Sequence, residues 1–225
     1  REMIVKHAMK AIIGYGDAFL FFGGKYHWSY AEKQRRMRTC AEAPEALRKL
    51  YDTAIEFRFQ PDFTPYANLD LLAWMNELRR IFDPIHLQCE KKRLQRSALT
   101  WAEYAEVAFR SALFDDAFNL RNWAKKTVNF LRTPGTLPNG RSVGAQIGYR
   151  MLGRRGILPI LFPAVAYDLD DKNHREFAAA FLNAKNTGRD ELRRAYLYAW
   201  GSIIEPNFLC LAKKWRMPLE AGERL

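Results

Sequence analysis

The stretch that decides the fold is residues 4–22, which read IVKHAMKAIIGYGDAFLFF. Apolar residues recur here at intervals of four and three, which places them on one face of an α-helix: Ile4, Ala8, Ala11, Tyr15, Ala18 and Phe22. Other apolar residues widen this face and predict a deeply buried helix: Val5, Met9, Ile12 and Leu20. We expect Gly23-Gly24 to end the helix, because glycine readily adopts the left-handed conformation that closes helices.

Charged and polar residues exclude the same stretch as a membrane span. A spanning helix needs about 20 nearly unbroken apolar residues, but this one is interrupted by Lys6, His7, Lys10 and Asp17. No signal peptide is recognisable, so the sequence predicts a cytoplasmic protein with no membrane partner. The chain opens in helical pattern at Arg1 without an initiator Met, and we therefore expect upstream residues in the natural protein.

Helical periodicity continues through the rest of the chain, without the alternating pattern of β-strands. Capping boxes are expected to begin two helices, one at Ser29 with Glu32 and one at Thr100 with Glu103. Pro84 is expected to kink or end the helix that contains it. The prediction is an all-α bundle of nine or ten helices.

The second half of the chain carries three local predictions. A helix that opens near residues 115–116 should turn one apolar face inward, formed by Ala117, Leu120, Ala124, Val128 and Leu131. Residues 143–167 are apolar and broken by Gly and Pro, which favours two short helices over strands. Residues 133–142 are rich in Pro and Gly and predict a long loop. This loop would separate a helical bundle over 1–133 from a second helical subdomain over 143–225.

The chain is strongly basic, because its 36 Lys and Arg exceed its 25 Asp and Glu and give a net charge of +11. Such an excess favours nucleic acid, an anionic surface, phosphorylated ligands or an acidic partner, and solubility is the alternative explanation. The cations form four clusters: Lys33/Arg35/Arg36/Arg38, Lys91/Lys92/Arg93/Arg96, Arg150/Arg154/Arg155 and Lys213/Lys214/Arg216. Two clusters on one face, with Tyr26, Trp28 and Tyr30 between them, would suit a phosphate backbone and stacked bases.

Cysteine and histidine positions predict neither a disulfide nor a zinc site. The cysteines are odd in number and form no C-x-x-C pair: Cys40, Cys89 and Cys210. The four histidines lie far apart, without an H-x-x-x-H pair. Asp168, Asp170 and Asp171 could hold Mg²⁺, but we favour a role in which they complement the dipole of the following helix. The sequence thus predicts no metal site.

No complete catalytic motif is present. The chain has no G-x-S-x-G nucleophile elbow, and Gly14-Tyr15-Gly16 lacks the third glycine of a phosphate-binding loop. Arg80 and His86 have an R-x5-H spacing that loosely resembles the motif of HEPN-family ribonucleases, all-helical proteins in which such residues act on RNA. The alternative is a surface arginine and a histidine near a helix end.

Residues 8–37 read AMKAIIGYGDAFLFFGGKYHWSYAEKQRRM. An apolar helix with Gly16-Asp17-Ala18 precedes Gly24-Lys25-Tyr26, the pair Ser29-Tyr30 and a basic helix over residues 33–38. This order resembles the start of the helical C-terminal domain in bacterial proteins of the nucleotidyltransferase superfamily. The resemblance covers about thirty of the 225 residues.

The resemblance implies an accessory role. In that superfamily an N-terminal domain holds Mg²⁺ and the nucleotide with paired carboxylates that follow a Gly-Ser or Gly-Gly turn, and the helical domain shapes the cleft. Here Gly23-Gly24 is followed by Tyr26-His27-Trp28 instead. We therefore expect no cofactor in this chain, and Mg²⁺ and nucleotide only through an upstream or separate nucleotidyltransferase domain.

The candidates for ligand binding are Asp17, Tyr26, His27, Trp28, Tyr30, Arg35 and Arg36. Burying a carboxylate on an apolar helix costs several kcal/mol unless it is paired, so Asp17 is expected mainly to anchor a nearby arginine or the Tyr26–Tyr30 turn. The leading hypothesis is a substrate-binding or docking accessory domain of a nucleotidyltransferase-like protein. A basic RNA- or DNA-binding module is the alternative, and a HEPN-like ribonuclease with Arg80 and His86 is third.

Overall fold

The computed structural model describes residues 1–114, 120–132, 143–167, 169, 171–214, 217 and 219. Over these residues the protein has ten α-helices and no strand, which confirms the all-α prediction. The helices are α1 Glu2–Phe22, α2 Tyr30–Arg38, α3 Glu45–Phe59, α4 Leu71–Arg93, α5 Trp101–Phe114, α6 Leu120–Arg132, α7 Val143–Ala166, α8 Lys172–Leu182, α9 Arg189–Ile203 and α10 Pro206–Lys214. A 3₁₀ turn, Thr64–Tyr66, lies between α3 and α4.

The chain divides into two compact units, Arg1–Ala98 with α1 to α4 and Leu99–Leu225 with α5 to α10. The sequence analysis predicted a subdomain boundary in the loop over residues 133–142. That loop lies outside the described residues.

Helix α1 is the centre of the first unit, where it packs against α3 and α4, while α2 packs against α3. The buried face of α1 consists of Val5, Ala8, Met9, Ile12, Ile13, Gly16, Phe19 and Leu20. The buried face is therefore rotated around the helix axis relative to the predicted stripe, because Ile4 and Ala11 are exposed. Val5, Met9, Ile12 and Leu20, which the sequence analysis placed at the edge of the face, belong to the core. They are larger than the alanines of the predicted stripe, and their burial accounts for the rotation. As predicted, α1 ends at the glycine pair, with Gly24 in the left-handed region at φ +69°.

Helix α4 continues through Pro84 to Arg93, so the prediction that Pro84 would end the helix is wrong. An internal proline removes one backbone hydrogen bond and destabilises a helix by about 3 kcal/mol. Pro84 itself is exposed, and the opposite face of α4 buries Phe82, Ile85 and Cys89. Burial of that apolar face offsets the loss of one hydrogen bond.

The two capping predictions have different outcomes. Ser29 occupies the N-cap position of α2, but its hydroxyl makes no capping hydrogen bond. Glu32 bonds Arg35 and Arg36 instead of the Ser29 backbone, because their guanidinium groups offer charge-assisted bonds. At the start of α5, Glu103 does accept a hydrogen bond from the Thr100 hydroxyl, at 3.2 Å.

Helix α7 forms the centre of the second unit, with α5, α6, α8 and α9 packed around it. It consists of two helical segments that meet at a kink at Gly153, where φ is 66° and ψ is 169°. The prediction of two short helices over residues 143–167 agrees with this geometry. Deeply buried residues of the second segment include Leu158 and Leu161.

Helix α6 contradicts the predicted inward face. Ala124 is exposed, Val128 is 43% exposed and Leu131 is 73% exposed. Lys126 is buried instead, among the side chains of α6 that the structure describes, and its Nζ donates a 2.8 Å hydrogen bond to the carbonyl oxygen of Leu113. Lysine can bury its aliphatic stem when its ammonium group reaches a carbonyl, and the periodicity of apolar residues does not register this. Ala117 and the side chain of Leu120, which were assigned to the same face, lie outside the described part of the chain.

The acidic run before α8 has one described member with a clear role. Asp171 is the N-cap residue of α8, and its carboxylate accepts a 2.6 Å hydrogen bond from the backbone N–H of His174. This agrees with a helix-capping role. Asp168 and Asp170 lie outside the described residues.

No helix in the described part of the chain is both long enough and apolar enough to cross a membrane.

Candidate functional site

Asp17 lies at the centre of a polar cluster inside the first unit. Its carboxylate accepts a hydrogen bond from the Tyr51 hydroxyl at 2.6 Å and forms a salt bridge with Lys33 Nζ at 2.5 Å. The three residues come from α1, α3 and α2, so the cluster joins three helices. Asp17 was predicted to anchor an arginine or the Tyr26–Tyr30 turn; the structure places a lysine and a tyrosine against it.

Gly16 explains how Tyr51 reaches the carboxylate. A Cβ atom on Gly16 would lie 2.0 Å from Cδ2 and 2.4 Å from Cε2 of the Tyr51 ring. Only glycine leaves room for the ring to lie flat against α1, with its hydroxyl at the next residue. The Gly-Asp pair therefore acts as a unit, in which the glycine admits the ring and the aspartate bonds its hydroxyl.

The environment of Tyr51 keeps its hydroxyl protonated. The side chain is fully buried, and this burial, reinforced by the hydrogen bond to Asp17, raises the pKa of Tyr51 far above its ordinary value. A protonated phenol can only donate to the carboxylate. The bond is therefore a fixed structural contact across the neutral pH range.

Lys33 is enclosed by aromatic rings as well as by Asp17. Its side chain is 2% exposed, and Nζ lies 4.2 Å from the ring centroid of Tyr30 and 5.2 Å from that of Tyr26. The guanidinium carbon of Arg58 lies 4.3 Å from the same Tyr30 centroid. Cations attract the faces of aromatic rings, so Tyr26 and Tyr30 are positioned by the cluster around Asp17.

The remaining cations of α2 are also paired with carboxylates of the same unit. Arg35 and Arg36 both contact Glu32, at 2.7 and 2.8 Å. Arg38 contacts Asp52 at 2.5 Å and Glu56 at 3.4 Å. The side-chain hydrogen bonds from Arg35 and Arg36 lower the pKa of Glu32 to about 2, so this carboxylate stays ionised. The basic cluster predicted on α2 is locally neutralised.

Arg36 also fixes the turn that precedes α2. One of its guanidinium nitrogens donates to the backbone carbonyls of Lys25 and Tyr26, at 3.0 and 3.1 Å. The backbone N–H of Ser29 donates to Nδ1 of His27 at 3.1 Å. The turn between α1 and α2 is thereby held from both sides.

This turn presents an aromatic surface, formed by Phe21, Tyr26 and Trp28, on the outside of the first unit. Their side chains are 62%, 45% and 82% exposed, respectively. The Trp28 ring stacks on His27 with a centroid distance of 5.4 Å, and the Phe21 and Tyr26 rings meet edge to face at 6.2 Å. Among the predicted candidates, the structure therefore separates the exposed rings of Tyr26 and Trp28 from charged residues that make internal contacts, such as Asp17 and Arg36.

A groove of about 820 Å³ lies beside α3 in the same unit. Its described lining includes the carboxylates Glu56 and Asp62 and the aromatic rings of Phe59 and Tyr66, but no lysine or arginine. This composition does not favour a phosphate group.

Arg80 and His86 do not converge into a site. Both lie on α4, but residues six positions apart on a helix point about 120° apart around the axis. Arg80 is exposed beside Glu77, at 3.6 Å. His86 packs edge to face against Tyr15, with a centroid distance of 6.0 Å, and burial lowers its pKa.

The described residues contain no group of three or more His, Cys, Asp or Glu side chains placed to hold a metal ion. All three cysteines are free, and only Cys210 is exposed. Burial raises the pKa of the Cys89 thiol to about 11, which makes it a poor nucleophile.

Sequence reasoning missed Tyr51 and Arg58, which complete the cluster around Asp17 and Tyr30. Tyr51 lies 34 residues from Asp17 along the chain, so no local spacing identifies it. The available signal was Gly16, because a glycine beside a buried carboxylate in a helix indicates a bulky neighbour.

No family model, curated protein or solved structure matches this chain.

Proposed function

We propose that the chain is a helical accessory domain of a nucleotidyltransferase-like protein and that it docks on a catalytic domain through the aromatic surface. The observation that carries this proposal concerns the segment that resembles that superfamily: its charged residues make internal contacts, and its aromatic residues are exposed. Asp17, Lys33 and Arg36 make internal contacts, whereas Phe21, Tyr26 and Trp28 are exposed.

The charge balance of α2 supports protein docking over phosphate binding at this surface. Its four cations face four carboxylates of the same unit, Asp17, Glu32, Asp52 and Glu56. A phosphate backbone would have to compete with these pairs, and each pair would lose charge-assisted hydrogen bonds.

The exposed rings suit a protein partner. Tryptophan and tyrosine dominate the energetics of protein interfaces, because a large rigid ring buries much area for little conformational entropy. Trp28 is the most exposed of the large apolar side chains described here, at 82%. The turn that carries it is held by Arg36 and His27, so little ordering is needed on binding.

The test is a calorimetric titration of this chain with the nucleotidyltransferase catalytic domain encoded upstream of it or in a neighbouring reading frame. We expect Trp28→Ala to weaken binding roughly tenfold or more, as for a central aromatic anchor. Trp123→Ala is the matched control, because Trp123 is also partly exposed but belongs to α6 in the second unit. Equal affinities for the two variants, or the absence of any such catalytic domain from the source genome, would overturn the proposal.

A basic RNA- or DNA-binding module remains the second candidate, and one observation favours it. Lys92 and Arg96 in the first unit, and Lys213 and Lys214 in the second, are exposed and have no ion-pair partner among the described residues. Titration with labelled RNA and DNA at about 50 and 200 mM salt tests it, since binding through phosphates weakens steeply with salt. Submicromolar binding that Lys92→Ala weakens supports this candidate; no binding at the lower salt concentration excludes it.

A further inference from the structure

A second cavity, of about 730 Å³, lies in the second unit beside the kink of α7. Its lining combines α6, the residues on both sides of Gly153 and Ile203 at the end of α9. This volume falls within the range typical of pockets for small ligands.

Among the described residues, the lining carries four cations, Lys125, Arg132, Arg154 and Arg155, and no carboxylate. Lys125, Arg132 and Arg154 have no ion-pair partner in the part of the chain that the structure describes. This arrangement is the opposite of that on α2, where each cation faces a carboxylate of its own unit. Four like charges around one cavity repel each other, and a bound anion would relieve that repulsion.

The kink at Gly153 brings two of these cations, Arg154 and Arg155, to the start of the second segment of α7. The side-chain amide of Asn129 donates to the carbonyls of Met151 and Leu152, at 3.2 and 3.4 Å, where the first segment of α7 ends. The second segment begins after Gly153, so Arg154 and Arg155 stand in its first turn, at the positive end of the helix dipole. Arg155 is fixed by hydrogen bonds from Nε and one Nη to the Ile203 carbonyl, at 3.2 and 2.9 Å.

We propose that this cavity binds a small anionic ligand with adjacent phosphate groups, such as a di- or triphosphate moiety. Several cations converge there, and guanidinium groups match phosphate oxygens in geometry and charge. A single phosphate would engage only part of this set. The proposal concerns the second unit alone and does not depend on the aromatic surface of the first.

The test is calorimetric titration of the full chain with pyrophosphate and tripolyphosphate at about 50 mM salt, where screening is moderate. We expect saturable binding of one tripolyphosphate per chain, tighter than that of pyrophosphate. Arg154→Glu and, independently, Lys125→Glu should each weaken it roughly tenfold or more. Both residues are exposed and unpaired among the described residues, so these variants are expected to fold, which urea unfolding checks.

Lys214→Glu is the matched control, because it makes the same charge change on an exposed lysine of the same unit outside the cavity. Its affinity for tripolyphosphate should stay within about twofold of the unmodified chain. No saturable binding up to millimolar concentrations, or equal weakening by Lys214→Glu and Arg154→Glu, would overturn the proposal. So would tighter binding of a single-stranded RNA of about 12 nucleotides than of tripolyphosphate, since that pattern indicates an extended phosphodiester surface.

Discussion

Gly16 lies against the Tyr51 ring so closely that the packing of the first unit leaves no room for a larger residue. A methyl group there would overlap the Tyr51 ring, with Cβ 2.0 Å from Cδ2. We expect Gly16→Ala to lower the free energy of unfolding by about 1–3 kcal/mol, the range for overpacked cores. Urea unfolding followed by tryptophan fluorescence measures the effect.

Gly14 provides the control, because it lies on the same helix and a Cβ there would meet no atom within 4 Å. Gly14→Ala should leave stability unchanged or raise it by up to about 1 kcal/mol, since alanine has the higher helix propensity. If both substitutions have the same effect, the close contact between Gly16 and Tyr51 does not govern stability.

The salt bridge between Asp17 and Lys33 predicts how the stability of a single and a double variant will differ. Asp17→Asn leaves a lysine that is 2% exposed without its counter-charge, so we expect a loss of about 3 kcal/mol. The double variant Asp17→Asn/Lys33→Met removes both charges and should recover at least half of that loss, because an apolar replacement of a buried pair is often nearly neutral. A double variant as unstable as the single one would contradict this explanation.

At the scale of the element, the kink of α7 depends on Gly153. Its φ of 66° and ψ of 169° lie in a region that essentially only glycine adopts. We expect Gly153→Ala to destabilise the second unit by about 1–3 kcal/mol, measured by urea unfolding. A stability equal to that of the unmodified chain would show that α7 can straighten without loss.

The helices could be predicted from the sequence because their signals are local. The period of apolar residues identified α1, and Gly23-Gly24 marked its end. The buried side of each helix was harder to predict, because it depends on which neighbouring helix packs against it. In α6, Ala124, Val128 and Leu131 are exposed while Lys126 is buried, because a carbonyl oxygen of α5 accepts a hydrogen bond from its ammonium group.

The candidate site could be predicted only in part for the same reason. Asp17 was recognised as a buried carboxylate in need of a partner, which is a local inference. Its partners Lys33 and Tyr51 lie 16 and 34 residues away, and only the fold brings them together. The cations of the α7 kink were recognised as a cluster, but the cavity they line forms from three helices and a glycine conformation that the spacing does not encode.

At the scale of the whole molecule, two histidines predict a pH dependence of stability: His174 is buried and His86 is half-buried. Burial lowers the folded-state pKa of both His86 and His174 from 6.5. The unfolded chain therefore binds more protons below about pH 6.5, and stability falls as the pH drops through that value. Glu32 and Glu42, whose pKa values are lowered to about 2 by their cationic partners, contribute only below about pH 4.5.

We therefore expect the free energy of unfolding to decrease from pH 7 to pH 5, measured in urea at several pH values. Because His86 and His174 belong to different units, His86→Leu and His174→Leu should each flatten part of the profile. A profile that is flat for the unmodified chain between pH 7 and pH 5 would contradict the neutral state of the two rings.

The two units use their positive charge differently. On α2 the cations of the first unit are neutralised by its own carboxylates, and the exposed residues nearby are aromatic. In the second unit, cations line a cavity whose described lining contains no carboxylate. The net charge of +11 is therefore distributed unevenly. We propose a protein partner for the aromatic surface of the first unit and a phosphorylated ligand for the cavity of the second.

The most direct measurement is the affinity of two variants, Trp28→Ala and Asp17→Asn/Lys33→Met, for the catalytic domain that we propose as the partner. Trp28→Ala should lose roughly tenfold or more in affinity with unchanged stability, because its side chain is an exposed anchor. The double variant removes the cation beside the Tyr26 ring and should lose less affinity than Trp28→Ala, because the cluster around Asp17 positions one ring of the surface without contacting the partner. Loss of affinity in the double variant, with full affinity in Trp28→Ala, would contradict the proposed function and place the interaction at Asp17.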